Sequence, residues 1–201
     1  MPGAGIAIRQ VDITLDFPPD KIDAVAMRRL MLLRHAKSDW SSPGMPDRER
    51  PLNARGGNDA RIMGVYLARH ALIPDRILCS PAERTRQTAE AIMKGWPAAV
   101  EVTYSDRLYE ATPEAILSLI RTVAPAAHAL LVLGHNPGLH ETARMLIAAG
   151  DIEPRERLHE KFPTAALAVI DFPIDAWSKL HRQSGRLDRF VTPRWIAAAA
   201  N

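Results

Sequence analysis

Residues 30–40 read LMLLRHAKSDW, a short run with an apolar majority that ends in adjacent arginine and histidine side chains, Arg34 and His35, before a polar turn. A short apolar run followed by turn residues fits a strand covered on both faces, as strands of parallel sheets are. Four further runs have the same character: RILCS (76–80), VEVTY (100–104), ALLVLG (129–134) and ALAVIDF (166–172). Between LMLLR and RILCS, Met63, Tyr66, Leu67 and Ala71 recur at helical spacing. Ile116, Leu117, Ile120 and Val123 do so before ALLVLG, the fourth of the five runs. Helices are also expected after Pro81 and Pro137, because proline suits the start of a helix. Alternating strands and helices predict an α/β fold, a three-layer α/β/α sandwich with a mainly parallel central sheet. Ligands of such sheets bind beyond the carboxyl ends of the strands.

The chain has 201 residues, 47% of them hydrophobic, enough for one domain with a substantial core. The pattern changes near residue 28. Residues 1–28 are expected to form an N-terminal extension, either an edge strand through VDITLDF or a tail, and residues 29–201 one domain. The net charge of +3 could help attract phosphate, but no concentrated Lys/Arg run marks a nucleic-acid binder. The single cysteine, Cys79, excludes an intramolecular disulfide framework. No apolar run reaches the roughly 18 residues of a membrane span. Asp12 and Asp16 interrupt the N-terminus before a secretory signal can develop, so the cytoplasm is the expected location.

In this topology Arg34 and His35 end the first strand, Arg84 lies in the first turn of the helix after the second, and His135, in LGHNPG, ends the fourth. Each alone has an ordinary explanation: a histidine after a strand is often structural, GHNPG is good turn chemistry, and AERTR reads as a solvated helix face. Together they fall on one edge of the sheet. Two guanidinium groups can hold the oxygens of a phosphoryl group and offset its charge. A neutral imidazole can attack phosphorus through one nitrogen while the other donates to a carbonyl. That set describes covalent phosphoryl transfer through a histidine.

Other chemistries find less support. Cys79 and Arg84 are one residue short of a C-x5-R phosphate loop, so Cys79 is expected to be a buried strand residue. The seven histidines show neither H-E-x-x-H nor zinc spacing, so no metal and no other cofactor is expected. Phosphate-binding glycine loops and a G-x-S-x-G elbow are absent from the sequence.

RHA at 34–36, RPLNARG at 50–56, SPAERTRQTAE at 80–90 and LGHNPGL at 133–139 resemble, in order, the motifs of the histidine phosphatase superfamily, and particularly the SixA-type phosphohistidine phosphatases. The resemblance spans residues 29–172. It implies the phosphoglycerate-mutase-like fold, His35 as nucleophile, Arg34 and Arg84 as phosphate-binding arginines, His135 as the second pocket histidine, and Lys37 and Asn136 as further substrate-binding positions. Glu110, in RLYEA, falls where many relatives carry the acid that protonates the leaving group, with Asp39 as the alternative donor. Ala36 stands where relatives usually have glycine, which implies an ordinary backbone conformation there. The interval from Arg84 to His135 leaves little chain for a lid. An open pocket suits a phosphoryl group displayed on a protein, such as a histidine phosphotransfer domain. The alternatives are a small-molecule phosphomonoesterase and a catalytically silent phosphohistidine-binding module.

Overall fold

The computed structural model describes residues 27–199; the proposed extension at 1–28 lies almost wholly outside the described residues. The five expected strands form: β1 (Arg28–Arg34), β2 (Arg76–Cys79), β3 (Glu101–Tyr104), β4 (Ala129–Gly134) and β6 (Leu167–Phe172). Two more that the sequence reading did not anticipate, β5 (Ile147–Gly150) and β7 (Gly185–Val191), complete a seven-stranded sheet ordered β3-β2-β4-β1-β6-β7-β5. β1, β2, β3 and β4 run parallel to one another, and β5 runs parallel to β7. β6 is antiparallel to both β1 and β7, so the sheet is mostly parallel with one reversed strand, next to the central β1.

The opening run behaves as a strand covered on both faces must. Leu30 and Leu32 enter one core cluster, with Leu117 and Leu139; Met31 and Leu33 enter the other, with Met63, Leu67 and Ile92. All four β1 side chains are fully buried, which stabilises by roughly 1.5–3 kcal/mol each relative to exposure. The first cluster is closed by α3 (Pro113–Ile120) and α4 (Gly138–Leu146), the second by α1 (Ala54–Arg69) and α2 (Glu83–Met93). The two helices expected after Pro81 and Pro137 are therefore α2 and α4.

Two helical expectations overran. α1 stops at Arg69, and Ala71 sits beyond it at φ 53°. Val123 follows the end of α3 and only packs against the first cluster. Two further helices, α5 (Ile152–Glu160) and α6 (Pro193–Ala199), were not anticipated. No helix among the described residues is long and apolar enough to cross a membrane.

One contact explains the RPLNARG stretch. Asn53 caps α1 by accepting from the Gly56 backbone at 2.8 Å, while its own N–H donates to the Lys37 carbonyl at 3.0 Å. A Cβ on Gly56 would stand 2.1 Å from that same carbonyl oxygen. Glycine is required so that the helix start can press against the loop following β1.

Candidate active site

Strand register gathers the site. β1 pairs with β4 so that Leu33 faces Leu133 and Arg34 faces Gly134, and β4 pairs with β2 so that Leu133 faces Cys79. His35 and His135, the next residues on β1 and β4, therefore emerge level with each other on the carboxyl edge, and Ser80, the next residue on β2, emerges one position lower, level with Gly134. The imidazole centroids of His35 and His135 are 5.1 Å apart. Ala36 has no positive φ, as expected, and its N–H donates to Thr88 Oγ1 at 3.1 Å, tying the turn to α2.

The His35 Nδ1 lies 2.7 Å from the Ala36 carbonyl oxygen. A carbonyl only accepts, so Nδ1 carries the proton and the lone pair is on Nε2. Burial pushes His35 down to about 4, opposed by the Ala36 hydrogen bond and reinforced by Arg84 and Arg34. The ring is neutral at physiological pH. His135 is pushed down to about 3, first by burial and then by the neighbouring His35 and Arg84. Its Nδ1 is 3.2 Å from Arg84 Nη2, and its Nε2 is 2.7 Å from Ser80 Oγ. Arginine only donates, so Nδ1 accepts here and the Nε2–H donates to Ser80.

Arg84 is only 6% exposed, which removes the reading of AERTR as a uniformly solvated face. Arg34 is half-buried, its Nη1 donating to the Phe162 carbonyl at 2.9 Å. Its Nε is buried with no partner among the described residues. Burial, and then repulsion from Arg84, lower the proton affinity of Arg34, as expected of like charges brought to one pocket. A cavity of about 220 Å³ is lined by Arg34, His35, Lys37, Asp47, Arg84 and Thr164, with Ser38 and Trp40 at its wall.

The remaining expected residues divide. Lys37 is exposed on the cavity wall. Asn136 Nδ2 donates to the Phe162 carbonyl at 2.8 Å, the acceptor Arg34 also uses, so it helps set the arginine's backing. Glu110 is exposed at φ 49° and is not among the cavity residues. Asp39 accepts from the Ser41 N–H at 2.8 Å, and that backbone bond holds its carboxyl below the usual carboxylate range. Cys79 is buried in β2 as expected; burial pushes its thiol up to about 12, so it is no thiolate nucleophile. Among the described residues no group of three His, Cys, Asp or Glu side chains is placed to hold a metal ion.

Three residues of the site were missed. Ser80 could have been suspected from its place one residue beyond β2. Tyr109 packs edge-on to His135 at 5.5 Å between centroids. Asp47, in a short 3-10 turn at Asp47–Glu49, accepts from Arg84 Nη2 at 2.8 Å and from the Tyr109 hydroxyl at 2.9 Å. Nothing in the charged stretch DRER distinguished Asp47 from its neighbours.

A buried neutral imidazole with an open nitrogen, flanked by two guanidinium groups at the carboxyl edge of an α/β sheet, is suited to phosphoryl transfer. Residues 30–117 match the family model of the histidine phosphatase superfamily (branch 1). The chain is 35% identical over 164 residues to the Mycobacterium tuberculosis protein Rv1276c, covering 81% of this chain and all of that one. Its fold matches two solved structures whose names assign them to phosphohistidine phosphatase SixA. The one from Nakamurella multipartitia has TM-score 0.72 and 29% identity, covering 83% of this chain and 96% of that chain. The one from Agrobacterium tumefaciens has TM-score 0.69 and 34% identity, covering 83% and 98%. The chain belongs to the histidine phosphatase superfamily.

Proposed function

We propose that the protein removes phosphoryl groups from phosphohistidine on a protein partner, through a covalent intermediate on His35. The observation that carries the reading is the His35 tautomer: with Nδ1–H bonded to Ala36, the Nε2 lone pair is held for attack. In the first step that lone pair bonds phosphorus and the bond to the leaving atom breaks. In the second, water attacks phosphorus and the electron pair returns to Nε2. Arg34 and Arg84 offset the charge on the phosphoryl oxygens throughout, and a phosphoryl oxygen would give the Arg34 Nε a partner. His135 supplies a further hydrogen bond.

A protein substrate is supported by the shape of the mouth. The chain between Arg84 and His135 is mostly taken up by α2, β3, a turn at Asp106–Leu108 and α3, leaving little chain in that interval to cover the cavity. Trp40, at the cavity wall, is 64% exposed and stacks under the Arg50 guanidinium at 4.2 Å. A large aromatic held rigid at a rim is the kind of residue that anchors protein interfaces. The similarity to two chains named for phosphohistidine phosphatase SixA points the same way.

The test is a comparison of kcat/KM on a phosphohistidine-bearing protein and on a panel of phosphorylated metabolites, together with trapping of the intermediate. Phosphate should be trapped in an acid-labile, alkali-stable linkage, lost in His35→Ala and kept in Cys79→Ser. A marked preference for one metabolite would replace the protein substrate with a small phosphomonoester. Binding without turnover would make the domain a phosphohistidine reader.

A further inference from the structure

Asp47 is coupled to Arg84 more closely than a rim carboxylate needs to be. The Arg84 Nη1 donates to the Asp47 backbone carbonyl at 2.5 Å and its Nη2 donates to Oδ2 at 2.8 Å, so one residue occupies both arms of the guanidinium fork. Oδ2 also accepts from the Tyr109 hydroxyl, and Oδ1 lies 3.8 Å from Arg50 Nε. The charged and titratable groups facing this carboxylate are Arg84 from α2, Tyr109 from the turn before α3, Arg50 from its own loop, and His35 and His135 from the strand ends.

A phosphoryl dianion and the Asp47 carboxylate compete for the same fork. Binding of the dianion takes the cation away from the carboxylate and sets a like charge beside it, and both changes favour the protonated carboxyl. Burial already acts in that direction, while Tyr109 and Arg84 hold the carboxyl below its ordinary value in the free protein. The side chain is 43% exposed and lines the cavity that holds His35, so solvent and a departing group both have access to it.

We infer that Asp47 is the proton donor to the leaving group: the arriving phosphoryl displaces its carboxylate from Arg84, the carboxyl takes a proton from solvent, and that proton passes to the departing atom. This rests on the phosphatase reading above. As the His35 Nε2–P bond forms and the bond from phosphorus to the leaving atom breaks, the electron pair on that atom takes the Asp47 proton. In the second step the carboxylate takes a proton from the attacking water, and the P–N pair returns to His35. Release of phosphate and loss of that proton to solvent return the carboxylate to Arg84. The role passes to Asp47 from Glu110, whose side chain does not reach the cavity wall.

The test uses Asp47→Asn, Asp47→Glu and Glu110→Gln in the full chain, on an alkyl phosphate and on p-nitrophenyl phosphate. An alkyl oxygen leaves badly without a proton, so Asp47→Asn should cost roughly 10²-fold or more in kcat there and far less on the aryl substrate. The fall in kcat at high pH, where the donor is lost, should vanish in Asp47→Asn and return in Asp47→Glu. Inorganic phosphate should inhibit Asp47→Asn more tightly than wild type, because its competitor is gone. Glu110→Gln should slow both substrates by one small, common factor. Equal slowing of both substrates by Asp47→Asn with the alkaline fall intact would overturn the assignment and leave Asp47 only positioning Arg84. Wild-type protein inert on every phosphate would overturn the phosphatase reading, and this assignment with it.

Discussion

Ser80 Oγ, one residue beyond the end of β2, lies 2.7 Å from His135 Nε2. A hydroxyl can accept or donate, whereas the Arg84 nitrogen on the other side of the ring can only donate. His135 can therefore accept from Arg84 when the pocket is free. It can present Nδ1–H to a phosphoryl oxygen when Ser80 donates to Nε2 instead. Ser80→Ala removes that freedom and should lower kcat by about threefold to tenfold, the worth of one hydrogen bond. Ser80→Thr should recover most of it. Steady-state kinetics on one aryl phosphate checks both variants.

The buried histidines make folding stability depend on pH. Their folded-state values, about 4 for His35 and about 3 for His135, lie below the ordinary imidazole value of about 6.5. Between these values the unfolded chain binds protons that the folded chain does not, so stability is full above about 6.5 and falls as the pH drops toward 4. His35→Gln should flatten part of that fall in denaturant titrations made at several pH values. The ring resonances of His35 should stay unshifted down to about pH 5.

Arg84 carries the largest expected kinetic effect. By comparison with arginines that stabilise phosphoryl transfer elsewhere, Arg84→Ala should cost roughly 10³-fold or more in kcat. A phosphate analogue such as vanadate, at about 100 times its Kd, should stabilise the wild type by about 2.7 kcal/mol. Thermal melts of Arg84→Ala should lose that stabilisation at the same concentration.

Gly56→Ala should damage the site from a distance. Its Cβ would enter the space of the Lys37 carbonyl, and neither backbone can give way without shifting the turn that carries His35. The expected cost is about 1–3 kcal/mol of stability, the usual range for overpacking. Gly57, whose Cβ would meet nothing within 4 Å, provides the matched control. Urea unfolding of the two alanine variants should separate them.

Much of this protein was determined by its sequence alone. The apolar runs at 30–34, 76–80 and 129–134 specify strands covered on both faces, because only such strands lack a polar alternation. Their common ends place Arg34, His35 and His135 on one edge whatever the details of packing. β7 was less legible: in GRLDRFV charged residues interrupt the apolar ones, while β5, IAAG, is too short and bland to signal anything. The reversal of β6 could not be read either, since a buried apolar strand looks the same in both directions.

Tertiary structure decided which polar side chains meet. Asp47 and Arg84 are 37 residues apart, and Ser80 and His135 are 55 apart. No periodicity links them, because their meeting depends on how a loop and a strand register close around the pocket. The same closure left Glu110, which lies only two residues beyond the Asp106–Leu108 turn, facing solvent. Sequence determines where a chemistry-bearing residue enters the fold. Its charge state and partner follow from burial and through-space contacts, which exist only once the chain has folded.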